Sequence, residues 1–178
     1  MTNDDLKALI RTVPDFPAKG VMFRDITTLL ADGKGLTAAV ERIAGRANAV
    51  GAGAIAGLEA RGFIFGAAVA SLLMLGFVPV RKAGKLPVPT IGIDYALEYG
   101  EARLEIDPTL IRQGERIIIV DDLVATGGTA LAAAQLLRQA GAVVDRALFV
   151  IDLPDLGGAQ VLRDNGIAVE ALMEFDGH

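Results

Sequence analysis

The sequence contains no cysteine. Disulfides, thiol nucleophiles and thiolate metal sites are therefore excluded together. The absence is compatible with a reducing cytoplasm, which is the expected compartment. Histidine occurs once, as His178, and serine once, as Ser71 inside an apolar run. A Ser-His-Asp triad and a zinc site built on His and Cys cannot be assembled from that inventory. Positive charge is also scarce: 17 Lys and Arg face 22 Asp and Glu, for a formal net charge of -5. That balance argues against a broad basic face, so no nucleic-acid partner is expected. A local Arg/Lys cluster on an acidic protein still suits a small anion. What is left for chemistry is carboxylates, bound Mg2+ and electrostatic stabilisation.

Apolar residues make up 52% of the 178, ample for the core of one domain of ordinary size. The N-terminus, MTNDDLKALI, is acidic and amphipathic and does not read as a secretory signal. Residues 62–80, GFIFGAAVASLLMLGFVPV, carry no charge and approach the ~20 residues of a membrane span. Gly76 and Pro79 interrupt the run, and Gly66, Ala67, Ala68, Ala70 and Ser71 suit a helix pressed on a sheet. We therefore expect a buried helix over 62–75, Gly76 as its stop and a strand over 77–80, with no membrane partner.

Elsewhere, helical spacing marks residues 4–13, 35–50, 129–140 and 157–165. Residues 14–20 form a Pro/Gly loop and VMFRDIT is short and extended. Apolar runs at 54–58, 117–120, 143–153 and 167–175 predict strands, the second buried on both faces. RKAGKL, from Arg81, is basic and expected to be mobile. Residues 90–106 alternate around Tyr-Gly-Glu as a β-hairpin or flap. Strands alternating with helices predict an α/β fold with a central parallel sheet flanked by helices.

Ligands bind such sheets at the carboxyl ends of the strands. Three loops there are chemically loaded: 59–62 (EARG), 81–85 (RKAGK) and 121–129. In the third, a buried strand runs into Asp121 and Asp122, and ATGGT then opens a helix. Backbone N–H groups at a helix start suit a dianionic phosphate. Gly127 and Gly128 let the backbone approach closely, and the Thr126 and Thr129 hydroxyls can donate. The two carboxylates suit vicinal sugar hydroxyls. For TGGT alone, a simple helix cap on Thr126 or Thr129 is an equal reading; the acidic pair favours a ligand. No Lys follows Gly128, which excludes a Walker A loop, and in GAGAIAG Gly51 and Gly53 precede the strand, which excludes a dinucleotide fingerprint. Arg61, Arg81, Lys82 and Lys85 converging from two strand ends favour an anion more highly charged than one phosphate, such as pyrophosphate.

VDDLVATGGT resembles the phosphoribosyl-diphosphate (PRPP) signature of type I phosphoribosyltransferases. With DFPAKGVMFRDIT, GLEARGFIFG, FVPVRKAGKLP and YALEYGEARLEI, in this order, nearly the whole chain resembles the adenine phosphoribosyltransferases. The resemblance implies that fold, with an N-terminal hood over residues 1–34, a flexible flap over 82–106, and a homodimer in which Arg81 reaches across the interface. It implies adenine + PRPP → AMP + pyrophosphate, with Mg2+ held mainly by PRPP and no direct protein ligand. Ala125, Thr126, Gly127, Gly128 and Thr129 would hold the 5-phosphate, and Asp121 and Asp122 the ribose hydroxyls. Glu59, Ala60, Arg61, Arg81, Lys82 and Lys85 would line the pyrophosphate site, where the 59–60 peptide is cis in some members. Phe23 and Leu123 would sandwich adenine, and the backbone around Met22 and Arg24 would read its amino edge. Glu98 would accept the proton of adenine, Tyr99 would help close the flap, and Arg61 would stabilise the leaving group. Asp94 stands where many members carry Ser, and Glu59 and Ala60 where some carry Asp and Ser. The alternatives are a transferase for another purine base and a non-catalytic PRPP-binding regulator. The regulator would need a DNA-binding segment, and only a short acidic helix precedes PDFP.

Overall fold

The computed structural model describes residues 1–97 and 100–177. Five parallel strands form its centre: β3 (Ala54–Leu58), β4 (Gly76–Lys82), β7 (Ile117–Val124), β8 (Arg146–Asp152) and β9 (Ala168–Glu174). The antiparallel hairpin of β5 (Ile91–Ala96) and β6 (Glu101–Ile106) extends the β4 edge, giving the order β5-β6-β4-β3-β7-β8-β9. The expected parallel α/β sheet is thus present. Its hairpin is not detached, because Arg81 and Lys82 pair in register with Glu105 and Leu104.

Burial explains the strand sequences. β3 is buried at all five positions, as expected for a central strand covered on both faces. One face packs Ile117, Ile119, Leu136 and Phe149; the other packs Ile43, Ile55, Phe65, Ile118 and Val120. Helix α3 (Gly33–Ala49) starts where Asp32 accepts a hydrogen bond from the Gly35 N–H at 2.7 Å, and it buries Ala39, Val40, Ile43 and Ala47. Helix α4 (Arg61–Leu73) lies close on the sheet: a methyl at Gly66 would be 3.3 Å from the Gly57 Cα and 2.9 Å from the Phe77 ring. No helix among the described residues is long and apolar enough to cross a membrane.

Several boundaries differ from those read off the sequence. The first helix, α1 (Asn3–Ala8), is closed by a Thr2/Asp5 capping box and ends five residues earlier than expected. Residues Arg11–Pro14 instead form β1, antiparallel to β2 (Met22–Asp25). Arg11 pairs with Asp25 across this small sheet. Cross-strand pairing here overrides the helical spacing of Leu6, Leu9, Ile10 and Val13. An unanticipated helix α2 (Thr27–Ala31) follows. Helix α4 is stopped by Met74 in the left-handed conformation (φ 54°), not by Gly76, which opens β4. Arg81 and Lys82 belong to β4 rather than to a loose basic loop. Strand β7 runs four residues past Val120, because half-buried Asp121 and Leu123 alternate with buried Asp122 and Val124. Helices α5 (Gly128–Gln139) and α6 (Gly158–Asp164) complete the fold.

Candidate active site

The carboxyl ends of β3, β4 and β7 meet at one cavity of about 440 Å3. Glu59, Ala60 and Arg61 enter it from β3 and the start of α4, and Lys82 from β4. Asp121 to Ala130 line its floor, so the three loops singled out by sequence share a wall.

The floor is built on backbone. Gly127 takes φ 82° and precedes α5, whose first turn has no capping side chain. The cap on Thr126 or Thr129 that would have explained TGGT structurally is thus not formed. Gly128, Thr129 and Ala130 of the first turn of α5 line the cavity, at the positive end of the helix dipole. Thr129 contributes its hydroxyl, 3.4 Å from the Tyr95 hydroxyl of the hairpin.

The acidic pair is held under electrostatic stress. Asp122 is 3% exposed. Burial, and then the neighbouring Asp122 charge, push the Asp121 pKa well above the usual carboxylate range. Burial also raises Asp122, and the Arg61 guanidinium opposes it. Arg61 Nε stands 2.7 Å from Asp122 Oδ2. The approach is off line for a hydrogen bond, so Oδ2 is ion-paired yet lacks a donor. Gly62 makes room for this pair: a methyl there would lie 2.6 Å from Asp121 Oδ1.

The cationic loop is only partly assembled. Arg61 and Lys82 line the cavity; Arg81 and Lys85 do not. Arg81 donates from Nη2 to Glu59 Oε1 at 3.2 Å and from Nη1 to the Lys85 carbonyl at 3.3 Å. The Lys82 backbone N–H donates to Glu59 Oε2 at 2.8 Å. Burial works against the Glu59 charge, yet these two donors hold its pKa below the usual value. The Glu59–Ala60 peptide is cis, as is Phe16–Pro17.

A second, largely apolar cavity of about 390 Å3 adjoins Arg61, which also lines the first. Phe23, Phe16 and Val13 supply its surface, with Phe16 edge-on to Phe23 at 5.1 Å between ring centres. The Arg61 guanidinium sits 5.8 Å from the Phe23 ring centre. Leu123 lines the first cavity and Phe23 the second, so the two residues expected to sandwich a base stand in adjoining cavities that share Arg61. Met22 is exposed and lines neither cavity. The Arg24 side chain points away, donating to Thr12 Oγ1 at 2.6 Å and to the Asp176 carbonyl at 2.8 Å. Glu98 and Tyr99 lie outside the described residues.

Sequence reasoning missed several lining residues. Tyr95, Leu97, Ala102 and Leu104 come from the hairpin, where the alternation could have assigned them to one side. Phe149, on β8, had no such signal. Asp25 and Thr27 line the apolar cavity. Their spacing is an Asx-turn signal: Asp25 Oδ1 accepts from the Thr27 N–H at 2.9 Å and its hydroxyl at 2.7 Å.

Residues 27–162 match the phosphoribosyl transferase domain family. An adenine phosphoribosyltransferase of Novosphingobium aromaticivorans is 70% identical over 178 residues, covering 100% of both chains. The adenine phosphoribosyltransferase structure of Thermoanaerobacter pseudethanolicus superposes with a TM-score of 0.93 at 44% identity, over 98% of this chain and 100% of that one. That of Saccharomyces cerevisiae, complexed with an imino-altritol bisphosphate and adenine, gives 0.89 at 36% identity over 96% and 98%. With a family model matching residues 27–162 and relatives matched along the whole chain, this chain belongs to the adenine phosphoribosyltransferases.

Proposed function

We propose that this chain transfers the 5-phosphoribosyl group of PRPP to N9 of adenine, giving AMP and pyrophosphate, the reaction of purine salvage. The observation that carries the reading is the adjacency of two cavities through Arg61: one anion-seeking, one apolar and aromatic. A phosphoribosyl donor and a flat base fit them in that order.

In this reading the 5-phosphate rests on the amides of 125–129, with the Thr126 and Thr129 hydroxyls. Ionised Asp121 and Asp122 accept from the ribose hydroxyls, which supplies Asp122 Oδ2 with the donor it lacks. Lys82 and Arg61 face the pyrophosphate. Arg81 and Lys85 join them once Glu59 releases Arg81. The ring of Phe23 stacks on adenine opposite Leu123, and the backbone of Met22 and Arg24 tells amino from oxo.

As the C1–O bond to pyrophosphate breaks, positive charge grows on the ribose ring and negative charge on the leaving group. Arg61 and Lys82 stabilise the latter. The lining also fits Mg2+ carried by PRPP: Asp121 and Asp122 stand in the cavity wall, and Asp122 Oδ2 has no hydrogen-bond donor of its own among the described residues. Bound there, Mg2+ supplies further neutralisation of the leaving group. Adenine N9 forms the new bond to C1, and Glu98 takes the proton that adenine loses. Tyr95 and Leu97, which line the cavity from the hairpin, let it cover the site and keep out water, the competing nucleophile.

The homodimer is supported by helix α4, which has no charged residue over 62–73 and exposes Ile64 and Leu72. The test of function is AMP formation from purified protein, PRPP, Mg2+ and one base at a time. Adenine should give nucleotide; nucleotide from hypoxanthine or guanine alone would reassign the base.

A further inference from the structure

The phosphate loop does not stand alone. Gly158, the first residue of α6, lies some thirty positions downstream, in LPDLGG, a segment to which the proposed reaction assigns nothing. Its backbone N–H donates to the Ala125 carbonyl at 3.0 Å. A methyl on Gly158 would stand 2.6 Å from the Gly127 amide nitrogen, 2.7 Å from the Thr126 carbonyl carbon, and closer still to the Ala125 oxygen. The fit is reciprocal: a methyl on Gly127 would stand 2.7 Å from the Gly158 carbonyl oxygen and 3.0 Å from its Cα. Two backbones are therefore in contact at the loop's apex, with no room for a side chain on either.

We propose that Gly158 is a positioning residue for the 5-phosphate: it buttresses residues 125–127 from behind and fixes the direction in which their amides point. The proposal rests on 125–129 being the phosphate site. Peptide amides bind a dianion well only if they already converge on it, and a free Ala-Thr-Gly segment pays conformational entropy to do so. The Gly158 hydrogen bond ties down the loop's first carbonyl, and contact with Gly127 blocks retreat of its last residue. Neither effect requires Gly158 to touch substrate. By contrast Gly157, beside it, meets nothing within 4 Å of a built Cβ, although its φ of 73° demands a residue tolerant of the left-handed region.

Gly158→Ala forces the two backbones apart at the phosphate loop, about 1 Å by the overlap with ordinary contact distances. The expected result is a KM for PRPP and a Kd for ribose 5-phosphate raised about tenfold or more, with the Kd for pyrophosphate and the KM for adenine within about twofold of the parent. Gly127→Ala attacks the same contact from the other side and should give the same split. Gly157→Asn, which keeps the left-handed residue without a clash, should leave all four constants near the parent's. An unchanged ribose 5-phosphate Kd in a folded Gly158→Ala protein overturns the proposal. So does a parallel rise in all four constants, which would mean general disorder of the sheet edge. Thr126→Asp separates this from the underlying site: it sets a negative charge on an exposed loop position. If Thr126→Asp also leaves ribose 5-phosphate binding intact, the phosphate site itself is misassigned; if it abolishes binding while Gly158→Ala does not, only the buttress fails.

Discussion

Asp122→Asn should stabilise the free protein while weakening its hold on PRPP. Asp122 is 3% exposed, and its pKa is raised because burial outweighs the help from Arg61. Its charge is therefore a net cost to folding. Asparagine is close in volume and removes that charge, along with the repulsion that raises Asp121. The loss on the other side is the Arg61 pair. Arg61 has 47% of its side chain exposed, so water replaces much of that contact, and half-exposed pairs are worth about 0–1 kcal/mol. Neutralising a carboxylate whose burial outweighs the help of its partner should therefore raise Tm, by about 2–4 °C for each kcal/mol in a domain of this size. In the complex the balance reverses. A hydrogen bond from a ribose hydroxyl to a carboxylate contributes about 1.5–3 kcal/mol, and its loss to a neutral acceptor raises the KM for PRPP about 10- to 100-fold. Thermal melting without ligand and initial rates over a PRPP series read both effects. A lower Tm together with an unchanged KM would instead make Asp122 a structural ion-pair partner and nothing more.

Glu98→Gln should lower kcat by about 100-fold or more, the scale of a lost general base, with the PRPP KM little changed; steady-state rates separate the two. The Asp25 pKa is lowered to about 2, first by the Thr27 backbone hydrogen bond, then by the Thr27 hydroxyl and Arg11. A depressed carboxylate pKa stabilises the folded state above its unfolded value near 4 and loses that contribution as pH falls toward 2. Melting temperature should accordingly drop more steeply between pH 4 and about 2 in the parent than in Asp25→Asn. The raised Asp121 and Asp122 pKa values act oppositely: their cost grows as pH rises above the unfolded value near 4, so Asp122→Asn should also flatten a loss of stability on the alkaline side of that point. Gly66→Ala should destabilise by roughly 1–3 kcal/mol in chemical denaturation, because a methyl there strikes the Phe77 ring and crowds Gly57.

Much of this was legible in the sequence because its signals are local. Ile117 to Val120 is apolar at every position, which suits a strand buried on both faces. The acidic pair followed by ATGGT announced a strand, a loop and a helix start in order. Legibility failed where pairing across the chain decided the outcome. Residues 11–14 have helical spacing, yet they pair with residues 22–25, and nothing nearby in sequence says so. The end of β7 was hidden because two aspartates look like the close of a strand, whereas here one of them is buried within it. In the site, charge counting placed four cations together, but Glu59 turns Arg81 aside, a contact across 22 residues. The Gly127–Gly158 contact was unreadable for the same reason: a glycine kept free of a side chain by a distant backbone looks like any turn glycine.

In the proposed reaction the apolar cavity beside Arg61 receives adenine while the 120–129 loop holds the phosphoribosyl donor. Product analysis of one reaction mixture tests it most directly: purified protein, PRPP and Mg2+ with equal adenine, hypoxanthine and guanine. AMP and pyrophosphate should form in equal amounts, with little IMP or GMP. Predominant IMP or GMP, or PRPP consumption to ribose 5-phosphate without nucleotide, would contradict it.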